Sequence, residues 1–389
     1  MSPGRVFLMI LTVLQSVGTL GADGPVRRSG VDPITGMSQV VVTGEISLWY
    51  TSRIVAAPDS AGQRVKGVVE QTHAVLRQLD DQLRQLNSGD PQVVRLNITV
   101  VSEDAGPQVR NVLEDYYPGE RRPVVTLTGG QMPESDVLIS MDAVGVLGDP
   151  PSASKPDLTR LGAACPVGPK VFISGKAAQG NLAVGTRDTL KQIDDNLKHL
   201  GLSKADIVQL RGFVMPLDEI DSYYSEIKNY FGDVPVPAVT FTHWISSGYL
   251  VEIEAVVKDT SSKSATEIEF ITPPGETASP VYCRVCRVPA GPLIYTTGLT
   301  GEAKADSAQQ VTQIFDQLKP LLAGQGSDLR HMAKATYFCA DDTSSVALNA
   351  LRPTLYDPKR PPAASKAIVP HVGFPGRAIT LDMIAVPSR

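Results

Sequence analysis

Glu252 and Glu254 stand two apart in YLVEIEAV, residues 249–256. Alternating apolar residues there mark a buried strand and put both carboxylates on its other face. The pattern returns as VLISMDAV (137–144) and RAITLDMI (377–384), with Asp142, Glu254 and Asp382 at one shared place. Glu252 has no such counterparts, because Ser140 and Thr380 stand where it would be. Recurrence of the second acid suggests a common structural position for all three. Cys283 and Cys286 form a CxxC, a spacing used by metal and redox sites. Its setting, VYCRVCRV, is strand-like, so the two thiols should point to opposite faces, and no second CxxC completes a zinc site. Both cysteines, with Cys165 and Cys339, are expected in the core. Histidines 73, 199, 243, 331 and 371 lack ligand spacing, and no metal is expected.

The chain of 389 residues is long enough for two or three domains. A net charge of −5 and the absence of a long basic run argue against nucleic-acid binding. The start, MSPGR followed by the apolar VFLMILTVL and the small residues of QSVGTLGA, has the layout of a secretory signal peptide, 1–22. Cleavage near Gly21 or Ala22 would leave a secreted or periplasmic protein with no membrane span.

Elements recur in one order. Each copy is expected to open with a hairpin: QVVVTGEISLWYTSR (39–53), LGAACPVGPKVFISG (161–175) and YCRVCRVPAGPLIYTTG (282–298). A helical stripe follows, as in Leu190, Ile193, Leu197 and Leu200, or Val311, Ile314, Phe315, Leu318 and Leu322. Then come a strand, a second helix and two closing strands. The expected fold is α+β, β-β-α-β-α-β-β three times over: repeats at 35–146, 161–258 and 280–389, with Pro- and Ser-rich connections at 147–160 and 259–280. A single sheet with both helices on one face leaves its other face to be covered. Three copies around a pseudo-threefold axis would cover each other, giving a monomeric pseudo-trimer. Tyr50 and Tyr295 hold matching places and are read as packing residues. Asn97-Ile98-Thr99 matches a glycosylation sequon inside a core strand and is read as chance.

The third copy, through PLIYTTGLTG, AQQVTQIFDQLKPLLAGQGSDLRHMAKATYF, LNALRPTLY, PPAAS and ITLDMIAV, resembles the Rid family, also called YjgF or endoribonuclease L-PSP. The second copy is similar through VFISG, DDNLKHLGLSKADIV and VEIEAVV, and the first diverges most. The resemblance implies a chorismate-mutase-like fold, trimeric clefts, and cofactor-free hydrolysis of enamines or imines to 2-oxo acids and ammonia. It implies an arginine in P-A-R-[ST] that holds the substrate carboxylate and a glutamate that positions water, the first acid of the E-I-E strand.

Carried over residue by residue, that glutamate is Glu252. The arginine position falls on Ala364 in the third copy and about Pro237 in the second, leaving Arg122 in GERRPVV as the candidate. Asn349 matches an asparagine of the family's second helix and is assigned, with Arg122, to substrate binding. The family's Ser-Gly is Ser174-Gly175, Thr297-Gly298 and Ser52-Arg53 in turn. Arg122 is expected to face Glu252 across one cleft between the first and second copies. The implied function is an exported protein with degenerate clefts that binds small carboxylates and hydrolyses imines in any cleft that kept its residues. The alternative is a non-catalytic binding or scaffold protein. Ribonuclease activity ranks last, given the acidic balance.

Overall fold

The computed structural model describes residues 25–86, 92–148, 162–246, 248–263 and 265–388; the signal-peptide segment lies outside these. The first unit comprises β3 (Leu48–Thr51), β4 (Ile54–Val55), α1 (Val68–Leu86), β5 (Val93–Val100), α2 (Ala105–Tyr116), β6 (Val124–Gly129) and β7 (Ile139–Val146). The second comprises β9 (Lys170–Ala177), α3 (Leu182–His199), β10 (Ile207–Val214), α4 (Ile220–Phe231), β11 (Ala238–His243) and β12 (Val251–Lys258). The third comprises β15 (Leu293–Thr296), α5 (Ser307–Ala323), β16 (Met332–Cys339), α6 (Asp342–Leu355), β17 (Ala363–Ile368) and β18 (Ile379–Ala385). Helix starts are fixed locally. The Asn181 and Asp341 side chains accept from the amides of Val184 and Ser344, and Asp306 forms a capping box with Gln309.

Strand order is the same in each unit: β6-β5-β7-β3, β11-β10-β12-β9 and β17-β16-β18-β15. The outer pairs β5–β6, β10–β11 and β16–β17 are parallel, as they must be when a helix crosses over between consecutive strands. The helical stripes of the second and third units bury where expected, and α1 buries an apolar stripe of its own. Val75, Leu76, Leu79 and Leu83 pack in the first unit, Leu190, Ile193 and Leu197 in the second, and Val311, Ile314, Phe315, Leu318 and Leu322 in the third.

The expected hairpins do not form. Their leading strands are β2 (Ser38–Thr43), β8 (Gly162–Cys165) and β14 (Val285–Val288). Each adds to another unit's sheet: β8 pairs β3, β14 pairs β9, and β2 pairs β15. For the second and third copies the reason lies in the connections. Pro166 and Pro169, like Pro289 and Pro292, bracket the supposed turns and offer no N–H to close them. The chain therefore crosses from one sheet to the next. Two further strands widen the edges, β1 (Val26–Val31) on β2 and β13 (Glu269–Ile271) on β14, the latter inside a segment expected to be linker.

The faces turned away from the helices meet in one core. Tyr50, Val144, Phe172, Val256, Tyr295 and Ile384 come from all three units and are almost fully buried there. Cys283 and Cys286 share this core, and their thiols are close enough for Cys283 to push the Cys286 thiol up, with burial as the larger cause. Cys283 precedes β14 in an isolated bridge to Ala363, so the two do not lie on one continuous strand.

The recurring acids meet beside this core. Arg95 lies 2.7 Å from Asp382, and Arg211 lies 2.7 Å from Asp382, 3.4 Å from Asp142 and 3.7 Å from Glu254. Lys334 sits 2.9 Å from Glu254 and 3.5 Å from Asp382. Asn97 Nδ2 and Thr336 Oγ1 donate to Asp142 and Glu254 at 2.8 and 2.9 Å, so the sequon asparagine is spent inside the network. Burial opposes ionisation of Asp382, but Arg95, Lys334 and Arg211 outweigh it and hold the carboxyl far below its usual range. Three acids thus neutralise three bases, one of each sign from each unit.

Candidate functional site

The units meet through one recurring joint, in which the Ser or Thr closing a unit's central-strand motif meets the outer strand of the next. Ser174 Oγ accepts from the Ala364 amide at 2.7 Å, joining the second unit to the third. Ser52 Oγ accepts from the Val239 amide at 3.3 Å, joining the first to the second. Thr297 Oγ1 and the Gly298 amide donate to the Val125 carbonyl at 3.0 and 2.8 Å, joining the third to the first.

Strand register locates the motif's arginine position. Leu96, Leu210 and Ala335 pair with Val125, Val239 and Ala364. These follow the prolines of Pro123-Val-Val-Thr, Pro237-Ala-Val-Thr and Pro362-Ala-Ala-Ser by two residues each. No unit keeps an arginine there. The second-unit position is Val239 rather than Pro237. Arg122 precedes the proline and is displaced by three residues.

Glu252 and Arg122 are not brought together. The Arg122 carbonyl accepts from Arg28 Nε at 3.1 Å and Ser38 Oγ at 2.6 Å, so it lies against β1 and β2, which extend the third unit's sheet. Glu252, on β12, turns toward β17 of the third unit. Ser365 and Lys366 both act on its carboxylate in favour of the ionised form. A Cβ on Gly175 would overlap the Glu252 carboxylate, so the glycine makes the acid's room. The Gly175 amide donates to Ser365 Oγ at 3.1 Å and so ties this joint together beside the acid.

Asn349 does join this group. Its Oδ1 accepts from Lys366 Nζ at 3.2 Å and from Arg352 Nη2 at 2.7 Å, while Lys366 Nζ also donates to Ser345 Oγ at 2.8 Å. An ammonium has three donors, so one is left for a ligand. Burial, with Glu254's negative charge adding, pushes the Glu252 carboxyl up to about 7 against the pull of Ser365 and Lys366. Burial lowers Lys366, Arg352 adds to this, and Glu252 pulls back. The joint thus sets a carboxyl raised toward neutrality beside a half-buried cation.

Lys366 and Ser365 escaped the sequence reading because they matter only across a unit boundary. The signal was present in the P-x-x-[ST] spacing that ends on Thr126, Thr240 and Ser365. Among the described residues no group of three or more His, Cys, Asp or Glu is placed to hold a metal ion.

Comparison with known proteins gives one family. The endoribonuclease L-PSP family model matches residues 159–258 and 277–387, more than half of the chain. Solved structures match one unit at a time. A YjgF protein from Neisseria meningitidis is 22% identical over 32% of this chain and 97% of its own, with a TM-score of 0.24. A Rid protein from Yersinia pestis is 23% identical over 32% of this chain and 99% of its own, with a TM-score of 0.27. A YjgF/YER057c/UK114 family member from Mycobacterium tuberculosis is 29% identical over 25% and 86%, with a TM-score of 0.22. No curated protein matches the chain.

Proposed function

Because the chain belongs to the endoribonuclease L-PSP family, in tandem copies of its unit, we propose that it is an exported single-chain pseudo-trimer whose working site is the cleft of Glu252 and Lys366. The ligand is a small carboxylate-bearing imine or enamine. Lys366 takes the carboxylate in place of the absent arginine, and Glu252 moves the protons. Water adds to the C=N carbon as Glu252 accepts its proton. The same proton goes to nitrogen, and collapse of the carbinolamine releases ammonia and a 2-oxo acid. The observation that carries this reading is the Glu252 carboxyl, raised to about 7 and facing Lys366 across the boundary. One group with that pKa serves as base and then as acid near neutral pH.

The test is ammonia release from an imine generated in situ by an amino-acid oxidase. Wild type should exceed buffer, Glu252→Gln should lose about a hundredfold or more, and Lys366→Met should raise KM. A second reading rests on the residues at the arginine positions, Val125, Val239 and Ala364. With no guanidinium fork, the cleft would bind a 2-oxo acid without turning an imine over. Wild type that binds pyruvate yet gives no rate above buffer selects this reading and removes the hydrolase. Ribonuclease activity finds little support in a chain of net charge −5.

A further inference from the structure

The joint between the first and second units has diverged in the opposite sense. Arg53 stands where the other two units have Gly175 and Gly298, and Ser140 stands where the second has Glu252. The two changes fit one another. Val55 pairs with Ser140 as Ala177 pairs with Glu252, so the space filled by a carboxylate in one unit is open to a larger neighbour in the other.

The Arg53 side chain is only 11% exposed. Its guanidinium lies 5.0 Å from the ring centroid of Phe241, which the second unit contributes. Nη1 and Nη2 donate to the two carboxylate oxygens of Glu134 at 3.1 and 3.0 Å, a two-pronged grip. Glu134 belongs to the connection between β6 and β7, and its side chain remains 36% exposed. Burial opposes its ionisation, but the hydrogen bonds and charge of Arg53 prevail and keep it ionised. A cavity of about 20 Å³ lies inside, room for roughly one water. Arg53, Asn97, Thr240 and Phe241 line it. Arg53 Nε, Asn97 Oδ1 and the hydroxyl of Thr240, itself 2% exposed, are buried there without a partner among the described residues.

We propose that this joint is a second carboxylate-binding site, built on Arg53 and Phe241 and filled by the chain's own Glu134. The tethered carboxylate is the ligand's competitor. Its connection is pinned separately by Arg64, 2.6 Å from Asp136, and by Gln71 bonded to Asp136 O and Leu138 N, so Glu134 can leave without unfolding the segment. A carboxylate on a short tether acts at an effective concentration in the millimolar range. Free ligand competes only above that range until Glu134 is neutralised. A small monocarboxylate then takes the guanidinium fork, with Thr240 and Asn97 behind it.

The test uses the full mature chain, calorimetric titration and pyruvate as the probe, in a Lys366→Met background that disables the other cleft. Glu134→Gln should bind pyruvate at least about tenfold more tightly than its parent. Glu134→Ala, which offers the fork no hydrogen bond, should do the same. Adding Arg53→Met should abolish the gain while leaving the thermal midpoint of the Glu134 variant in place. No gain in either Glu134 variant, or a gain that survives Arg53→Met, overturns the site. Neither result bears on turnover at Glu252, which is read with Lys366 intact.

Discussion

Replacing Glu252 by glutamine should stabilise the protein, and by an amount that depends on pH in a defined direction. Its carboxyl moves from an ordinary 4.5 to about 7 in the folded chain. The folded state therefore binds the proton more tightly than the unfolded state, and stability falls as pH rises between those two values. Below about 4.5 both states are protonated and the group costs nothing. Above about 7 both are ionised, and the full penalty of the partly buried charge applies. At about 1.4 kcal/mol per pH unit, the interval amounts to about 3 kcal/mol. Glutamine is nearly isosteric and carries no charge. The Glu252→Gln variant should match wild type at pH 4 and exceed it by up to about 3 kcal/mol at pH 8. With an unfolding entropy of about 2.1 cal/mol/K per residue, that corresponds to roughly 4 °C in thermal midpoint. Midpoints of both proteins from pH 4 to 8, compared as a difference, cancel every other titration. A difference that stays flat across this range, or a variant less stable at pH 8, would refute the placement of Glu252 in a desolvated cleft.

Gly175→Ala should destabilise by about 1–3 kcal/mol because its Cβ overlaps the Glu252 carboxylate, and the added Glu252→Ser change should recover most of the loss, as denaturant midpoints will show. Asp382→Asn leaves Arg95, Arg211 and Lys334 short of an acid in a fully buried site and should cost about 3–5 kcal/mol, measured by urea unfolding. Light scattering of the mature protein should give the mass of one chain, because the joints of a trimer are already satisfied within it. A mass three times larger would end the pseudo-trimer proposal. Sequencing the amino terminus of the exported product should place cleavage near Gly21 or Ala22.

Much of the fold is readable in the chain because its signals are local and repeated. Three amphipathic stripes and three closing strands in one order define the unit, and an acid repeated as Asp142, Glu254 and Asp382 marks a shared position. The partners of those acids carried a signal too: Arg95, Arg211 and Lys334 are the charges within mostly apolar strands and imply buried neutralisation. Strand pairing was less legible. A leading strand such as Val285–Val288 satisfies its hydrogen bonds equally well on its own unit or on another. Only the proline brackets at 166/169 and 289/292 tell against the hairpin. Arg122 misled because an arginine beside a proline resembles the motif, although strand register puts the motif position three residues later, at Val125. Cys283 and Cys286 misled through the assumption of an unbroken strand.

Fusion of the copies explains why the remaining departures come in matched sets. In a trimer of identical subunits, a glycine-to-arginine change alters all three joints at once, and each would also have to lose its glutamate. Within one chain each joint answers only to its own pair of faces. Gly175 remains where Glu252 needs its space, whereas Arg53 occurs with Ser140, and Gly298 packs against Thr380 and the Thr126 backbone. The site chemistry is therefore written in pairs that belong to different units or strands, such as Glu252 with Lys366 and Arg53 with Phe241. A motif searched along one unit finds only half of each pair. The central network has the opposite constraint. Among the described residues Arg211 alone touches acids from all three units, so that cluster can change only as a whole, and the acid at its place is retained in every copy.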